Sequence, residues 1–188
     1  MYALKNDRAV IDGTTTISMV DWVAKTVHEE LTTLPFKSFF DDAPILVPVP
    51  KSSLMKPDTL WVPDMLAKAL SKQGLGKVVQ LLERVTPIRK SAQVNAWERP
   101  KAQEHFETMG VIQTITEPKK VLLMDDVITR GATVMGAANR LVDSYPNLQV
   151  QAFAAMRTQS DSFSYRGSHG ACVGWVTLDQ NGESFRRP

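Results

Sequence analysis

The sequence predicts an α/β fold: a mainly parallel sheet flanked by helices, with a small hood beside it. Three adjoining segments carry this. VLLM (121–124) is a wholly apolar run of strand length, GATVMGAANRLVDSY (131–145) has helical spacing, and LQVQAFAAM (148–156) is a second strand. A strand–helix–strand passage of about 36 residues leaves room for a crossover, which makes its strands parallel and its connection right-handed.

The remaining elements follow from the N-terminus. In SMVDWVAKTVHEEL (18–31), Val20, Val23, Val27 and Leu31 fall on one helical face, with Ser18 as N-cap and Asp21 in the first turn. ILVPVP (45–50) is a short apolar run whose residues 45–49 read as a strand, with Pro48 pushing it toward a strand end. WVPDMLAKALSK (61–72) is a second amphipathic helix, with Pro63 in its first turn and Gly74 and Gly76 closing it. KVVQLLERV (77–85) reads as one strand. The polar passage 86–110 is too long for a connector and reads as a functional flap with some helix around 101–106. On the 131–145 helix Val134, Ala138, Leu141 and Val142 are expected inward, and Gly136 and Ala137 permit close packing. From Gln159 the chain becomes rich in Ser, Gly and aromatic residues, and 174–185 suggests a hairpin around Asn181-Gly182. The organisation expected is one domain over 1–158 and a C-terminal extension over 159–188.

The chain has 188 residues, enough for a substantial core, and a formal net charge of +2, which announces neither a nucleic-acid binder nor a membrane-surface protein. Its single cysteine, Cys172, excludes an intrachain disulfide and a cysteine-based zinc cluster. A cytoplasmic location fits, since the N-terminus lacks the apolar core of a signal peptide and no run approaches the roughly 20 residues that span a bilayer. His28, His105 and His169 lack ligand-like spacing.

Chemistry concentrates in VLLMDDVITRGATV (121–134). Ligands of parallel sheets bind beyond the carboxyl ends of strands, where Asp125 and Asp126 are expected. Two neighbouring carboxylates suit a vicinal diol, or a magnesium ion held jointly with a ligand. The turn from Thr129 to Thr133 can aim successive N–H groups and two hydroxyls at one spot, and the following helix adds its positive end. A diol clamp beside a phosphate cradle describes a site for ribose 5-phosphate. An Asp-Asp pair after a strand is commonly only a solvated strand end; here the conjunction with Thr-x-Gly-x-Thr carries the reading.

That run resembles the phosphoribosyl-pyrophosphate (PRPP) signature of type I phosphoribosyltransferases: an apolar strand, two acids, two apolar residues, a variable residue, then Thr-Gly-x-Thr. More narrowly the chain is similar to the ComF-like branch, through ALKNDRAV (3–10), ILVPVPKS (45–52) and RKSAQ (89–93). The likeness spans roughly 1–158. It departs in three ways. Arg130 stands where the family has threonine, MKPDTLWVPDM (55–65) replaces an Arg-Gly-Phe-Asn-like segment, and the branch's cysteine-rich zinc module does not precede the domain.

The resemblance implies a type I phosphoribosyltransferase-like fold and transfer of phosphoribosyl from PRPP to a nitrogenous or nucleotide-like acceptor, with release of pyrophosphate. It implies Asp125 and Asp126 on the ribose hydroxyls, and Thr129, Arg130, Gly131, Ala132 and Thr133 around the 5-phosphate. Lys51 and Ser52 would meet pyrophosphate, with magnesium held mostly by PRPP and water beside Asp125 and Asp126. Asp125, Asp126 and Thr129 take the catalytic positions, although threonine is a poor proton acceptor near neutral pH. In the flap, Arg89, Lys90, Arg99 and Lys101 would neutralise the departing pyrophosphate. The alternative is a non-catalytic sensor of PRPP or a nucleotide that acts through a partner, in DNA uptake, DNA processing or defence. A protein partner or a homodimer is compatible with either reading, a membrane with neither, and nucleic acid is left open.

Other residues read more plainly. His105 beside Glu104 is expected on a helix surface, and His28 in solvent. Trp22 and Trp61 are expected in the core. Trp97 either stacks on a base or anchors the flap. Cys172 has no activating neighbour and is expected to be structural.

Overall fold

The computed structural model describes residues 2–56, 58–89, 95, 98–158 and 170–187. Lys90 and Trp97, the Gln93 end of the RKSAQ segment and His169 lie outside the described residues. In chain order the elements are α1 (Tyr2–Lys5), β1 (Ala9–Asp12), β2 (Thr15–Ser18), α2 (Met19–Glu30), β3 (Ile45–Pro48), α3 (Val62–Lys72), β4 (Lys77–Val78), β5 (Leu82–Arg84), α4 (Ala102–Glu107), β6 (Met109–Val111), β7 (Lys120–Ile128), α5 (Ala132–Ser144), β8 (Gln149–Arg157), β9 (Trp175–Leu178) and β10 (Ser184–Arg187). A short 3-10 turn, Lys37–Phe39, precedes β3.

The centre is an all-parallel sheet in the order β4-β3-β7-β8, flanked by helices. Its strands are the apolar runs of the sequence, buried on both faces as parallel strands are. Side chains alternate across β7, so Leu122 and Met124 enter one core cluster with Val20, Leu66 and Leu70, beneath α2 and α3. Val121 and Leu123 enter the other with Val134, Ala137 and Leu141 of α5. The anticipated caps are present: Ser18 accepts from the Asp21 N–H at 3.0 Å, and a proline occupies the first turn of α3. Among the described residues no helix is long and apolar enough to cross a membrane.

Several expectations are corrected. The 77–85 segment is two strands. After Val79 donates to the Leu46 carbonyl the chain leaves the sheet, and β5 pairs antiparallel with β6 instead. Strand β7 runs past Met124 through Ile128, so the two acids lie within it rather than beyond its end. The reason is β8, which pairs with β7 as far as Ile128↔Arg157, whereas β3 stops at Pro48↔Met124. The groups that would make the next bond of that ladder are spent elsewhere: the Val49 carbonyl accepts from the Trp61 indole N–H, and Asp126 N–H donates to Asp125 Oδ1. Past Met124 the β3 side of β7 is thus unpaired, and Asp125, on the α5 face of the strand with Val121 and Leu123, lines the pocket that opens there. Trp22 is 40 % exposed and Val142 38 %, so neither is core, while Ala137 is fully buried.

Of the expected hood, the N-terminal segment forms α1 and the β1–β2 hairpin, which lead into α2. The C-terminal extension forms an antiparallel hairpin, β9–β10, turning at 179–183. Its Val176 reaches the loop before α5: a Cβ placed on Gly131 would lie 2.7 Å from the Val176 methyls.

Candidate functional site

The crevice narrows to a small pocket of about 30 Å³, partly open to solvent, between the end of β7 and the start of α5. Asp125, the loop 127–134, Arg99 and Pro100 line it. Gly131 sets its shape. It caps α5 with φ +89°, in the left-handed region that an L side chain rarely adopts, and the hairpin leaves no room for one. The helix begins with the bond from Met135 N–H to the Gly131 carbonyl, and no side chain caps it. The N–H groups at this end therefore have no intrahelical acceptor and gather positive potential at the pocket wall.

The acids adjoin this wall. Asp126 N–H donates to Asp125 Oδ1 at 2.9 Å, and Val127 N–H to Asp126 Oδ1 at 2.9 Å. Burial pushes the Asp125 carboxyl well above the ordinary carboxylate range; the Asp126 charge and a hydrogen bond between the two side chains push it further. An Asp126 N–H bond and the Lys5 ammonium of α1 act in the opposite direction. Asp125 thus gives up its proton less readily than an exposed carboxyl does.

Around the acids the sequence-predicted residues divide. Asp125, Thr129, Arg130, Gly131, Ala132 and Thr133 share the pocket, and Asp126 is joined to it through Asp125. Arg99, a flap cation, lines the same pocket with its Nε buried and without a hydrogen-bond partner among the described residues. Arg130 is turned to the C-terminal hairpin, its Nη1 3.0 Å from Glu183 Oε2, and Lys101 Nζ lies 3.0 Å from Glu183 Oε1. Arg89 pairs with Glu104 at 3.1 Å. Lys51 and Ser52 lie at the end of β3: Lys51 Nζ donates to the Leu60 carbonyl at 2.7 Å, and the Ser52 carbonyl accepts from Ile88 N–H at 2.8 Å. The turn after β3 is thus fastened to both neighbouring loops. Trp61 is buried as expected, and its indole N–H donates to the Val49 carbonyl at 2.9 Å.

Two functional candidates escaped the sequence reading. Arg84 is buried; its Nε donates to the Lys51 carbonyl at 2.8 Å and its Nη1 to Thr108 Oγ1 at 2.5 Å, while among the described residues it has no carboxylate partner and its Nη2 no hydrogen-bond partner. Burial lowers its pKa to about 10. The signal was its position two residues after Leu82, on the inward face of β5. His105, expected on the surface, is 4 % exposed, with Nε2 3.3 Å from Thr133 Oγ1. Burial, then the Arg84 charge, lowers its pKa to about 4 against a smaller opposing pull from Glu104, so the ring is neutral near pH 7. Its signal was the i, i+3 spacing from Ala102, which places both on one face of α4. His28 is exposed as expected, and Cys172 is exposed rather than packed.

Among the described residues no group of three or more His, Cys, Asp or Glu side chains is placed to hold a metal ion. No protein-family model matches the chain, and no curated protein matches it.

Proposed function

We propose that the chain is a phosphoribosyltransferase-like protein of the type I, ComF-like kind, which binds PRPP and transfers its phosphoribosyl group to a nitrogenous or nucleotide-like acceptor. The observation that carries this is one pocket in which the Asp125 carboxyl, with Asp126 hydrogen-bonded beside it, meets an uncapped helix start and an Arg99 Nε that has no partner among the described residues. Acids on one side and donors on the other match a ligand with hydroxyls at one end and a phosphate at the other.

In this reading the loop N–H groups and the hydroxyls of Thr129 and Thr133 hold the 5-phosphate, with Arg99 completing its neutralisation. Asp125 and Asp126 accept from the ribose hydroxyls. Magnesium, carried by the pyrophosphoryl oxygens, would supply charge neutralisation there. An acceptor nitrogen forms a bond to the anomeric carbon with its lone pair as the carbon–oxygen bond breaks, and that electron pair leaves on pyrophosphate. Positive charge then grows on the sugar beside the acid pair. The Asp125 carboxyl, which burial holds against ionisation, gains its charge most readily when a cation appears beside it. Lys51 and Ser52 meet pyrophosphate once Lys51 exchanges the Leu60 carbonyl for the ligand, and the chain's contribution is positioning and electrostatics.

The second reading, a sensor that binds PRPP without consuming it, draws support from Arg130. In the family's threonine position it offers no hydroxyl, and Glu183 engages its guanidinium. A titration of melting temperature with magnesium PRPP tests the shared core of both readings, since a ligand of the native state raises it with concentration. No shift with PRPP or ribose 5-phosphate overturns both. Pyrophosphate release across a panel of bases and nucleosides supports transfer; binding without release supports the sensor.

A further inference from the structure

The first turn of α5 has a buried backer. Helix α4 lies against α5 at Gly136, where an added Cβ would come within 2.5 Å of His105 Cβ and 2.6 Å of the Ala102 carbonyl. This close approach seats the His105 ring behind Thr133. Resting on the phosphate reading above, we infer that His105 is a positioning residue: it donates its Nε2–H to Thr133 Oγ1 and so leaves the threonine proton free to point at the anion.

The argument is one of proton accounting. A neutral imidazole has one N–H and one bare nitrogen. Among the described residues His105 Nδ1 is buried without a hydrogen-bond partner, and Nε2 meets Thr133 Oγ1 at 3.3 Å. With the proton on Nδ1, a buried N–H would be orphaned and the hydroxyl would have to spend its own proton on Nε2. With the proton on Nε2, only a lone pair goes unmet, and orphaned buried N–H groups are the rarer of the two in folded proteins. Among the described residues Thr133 Oγ1 has no other hydrogen-bond partner, so the Nε2–H tautomer leaves its proton uncommitted, on a residue that lines the pocket. A phosphomonoester oxygen is an acceptor only, and a pre-turned O–H donor is what it needs.

The test has two arms. In nitrogen-15 spectra of the imidazole the inference expects a neutral ring with the proton on Nε2, and an Nε2 resonance that moves in Thr133→Val; a proton on Nδ1 overturns it. By calorimetry with ribose 5-phosphate, His105→Phe should weaken binding roughly fivefold, the worth of one ordinary hydrogen bond. His105→Gln, which keeps a side-chain N–H, should recover part of that loss. In a Thr133→Val background the histidine change should cost nothing further; independent, additive losses would show a purely structural role and overturn the inference. Failure of the unaltered chain to bind ribose 5-phosphate removes the phosphate reading and the anion half of the inference, while the imidazole spectrum still decides the hydrogen-bond half.

Discussion

Arg130 Nη1 and Glu183 Oε2 stand 3.0 Å apart, which ties the cradle loop before α5 to the C-terminal hairpin. The other oxygen of Glu183 takes Lys101 at 3.0 Å, so one carboxylate occupies two cations at the rim of the pocket. A phosphate arriving there competes with an anion the chain already supplies. Glu183→Gln should therefore tighten ribose 5-phosphate binding two- to fivefold, read by calorimetry at low salt. The cost in stability should stay within about 1 kcal/mol, because both pairs are about a third exposed and screened by water. Unchanged affinity would show that Arg130 and Lys101 do not contribute to the anion site.

Asp125 sets function against stability. Its folded-state pKa is raised, so the native state holds the proton more tightly than the unfolded chain does. The sign follows: this carboxyl's contribution is most favourable below its ordinary value and declines as pH rises toward the folded value. At pH 7.5 Asp125→Asn should remove that penalty and raise the melting temperature by roughly 2–4 °C, the shift that about 1 kcal/mol produces in a chain of this size. Binding of ribose 5-phosphate should be lost in the same variant. An Asn variant that melts lower would mean that the ionised acid is stabilising where it stands.

His105 gives the opposite limb. Its folded pKa of about 4 lies below the ordinary histidine value of 6.5, so its contribution to stability is complete above 6.5 and fades as pH falls toward 4. Over that window the loss amounts to at most about 3 kcal/mol, from a shift of roughly 2.5 units. Urea midpoints measured between pH 7 and 4 should fall less steeply in His105→Phe than in the unaltered chain. Comparing slopes isolates this residue from the carboxylates that titrate in the same range. Parallel slopes would mean that the ring is already accessible to protons in the native state.

The sheet was legible because β3 and the first half of β7 are buried on both faces and written as continuous apolar runs, and β8, though only half-buried, keeps an apolar stretch over 152–156. The α5 helix was legible from its spacing, and Gly136 from its size. What sequence could not supply was the length of β7, since Asp125 and Asp126 interrupt the apolar run and the strand continues through Ile128 beside β8, which pairs with it that far. The 77–85 segment failed for the complementary reason: its apolar run is continuous, but its partners change from β3 to β6 partway. The cradle residues were found because consecutive positions build that loop. His105 was missed because it is polar in a locally polar stretch and Arg84 because a charge near the end of an apolar run reads as an exposed position; only tertiary packing decides which polar residues are turned inward.

The close contact of α4 and α5 supports the last prediction. Gly136 is buried, and a methyl group there would meet His105 Cβ at 2.5 Å, the Ala102 carbonyl at 2.6 Å and the Phe106 amide nitrogen at 2.9 Å. Two of these three are backbone atoms of α4, so no rotamer change relieves the overlap and the whole helix must move. Overpacking of this kind costs about 1–3 kcal/mol, offset only slightly by alanine's better helix propensity. Gly136→Ala should thus lower the urea midpoint with an unchanged m-value. It should also draw His105 away from Thr133, so the imidazole pKa, followed by proton NMR, should rise from about 4 toward the ordinary histidine value as water reaches the ring. A destabilised variant whose histidine still titrates near 4 would show that α4 keeps its seat and that the strain is absorbed elsewhere. A variant of full stability would show that the helices stand farther apart than 2.5 Å from that methyl position to His105 Cβ implies.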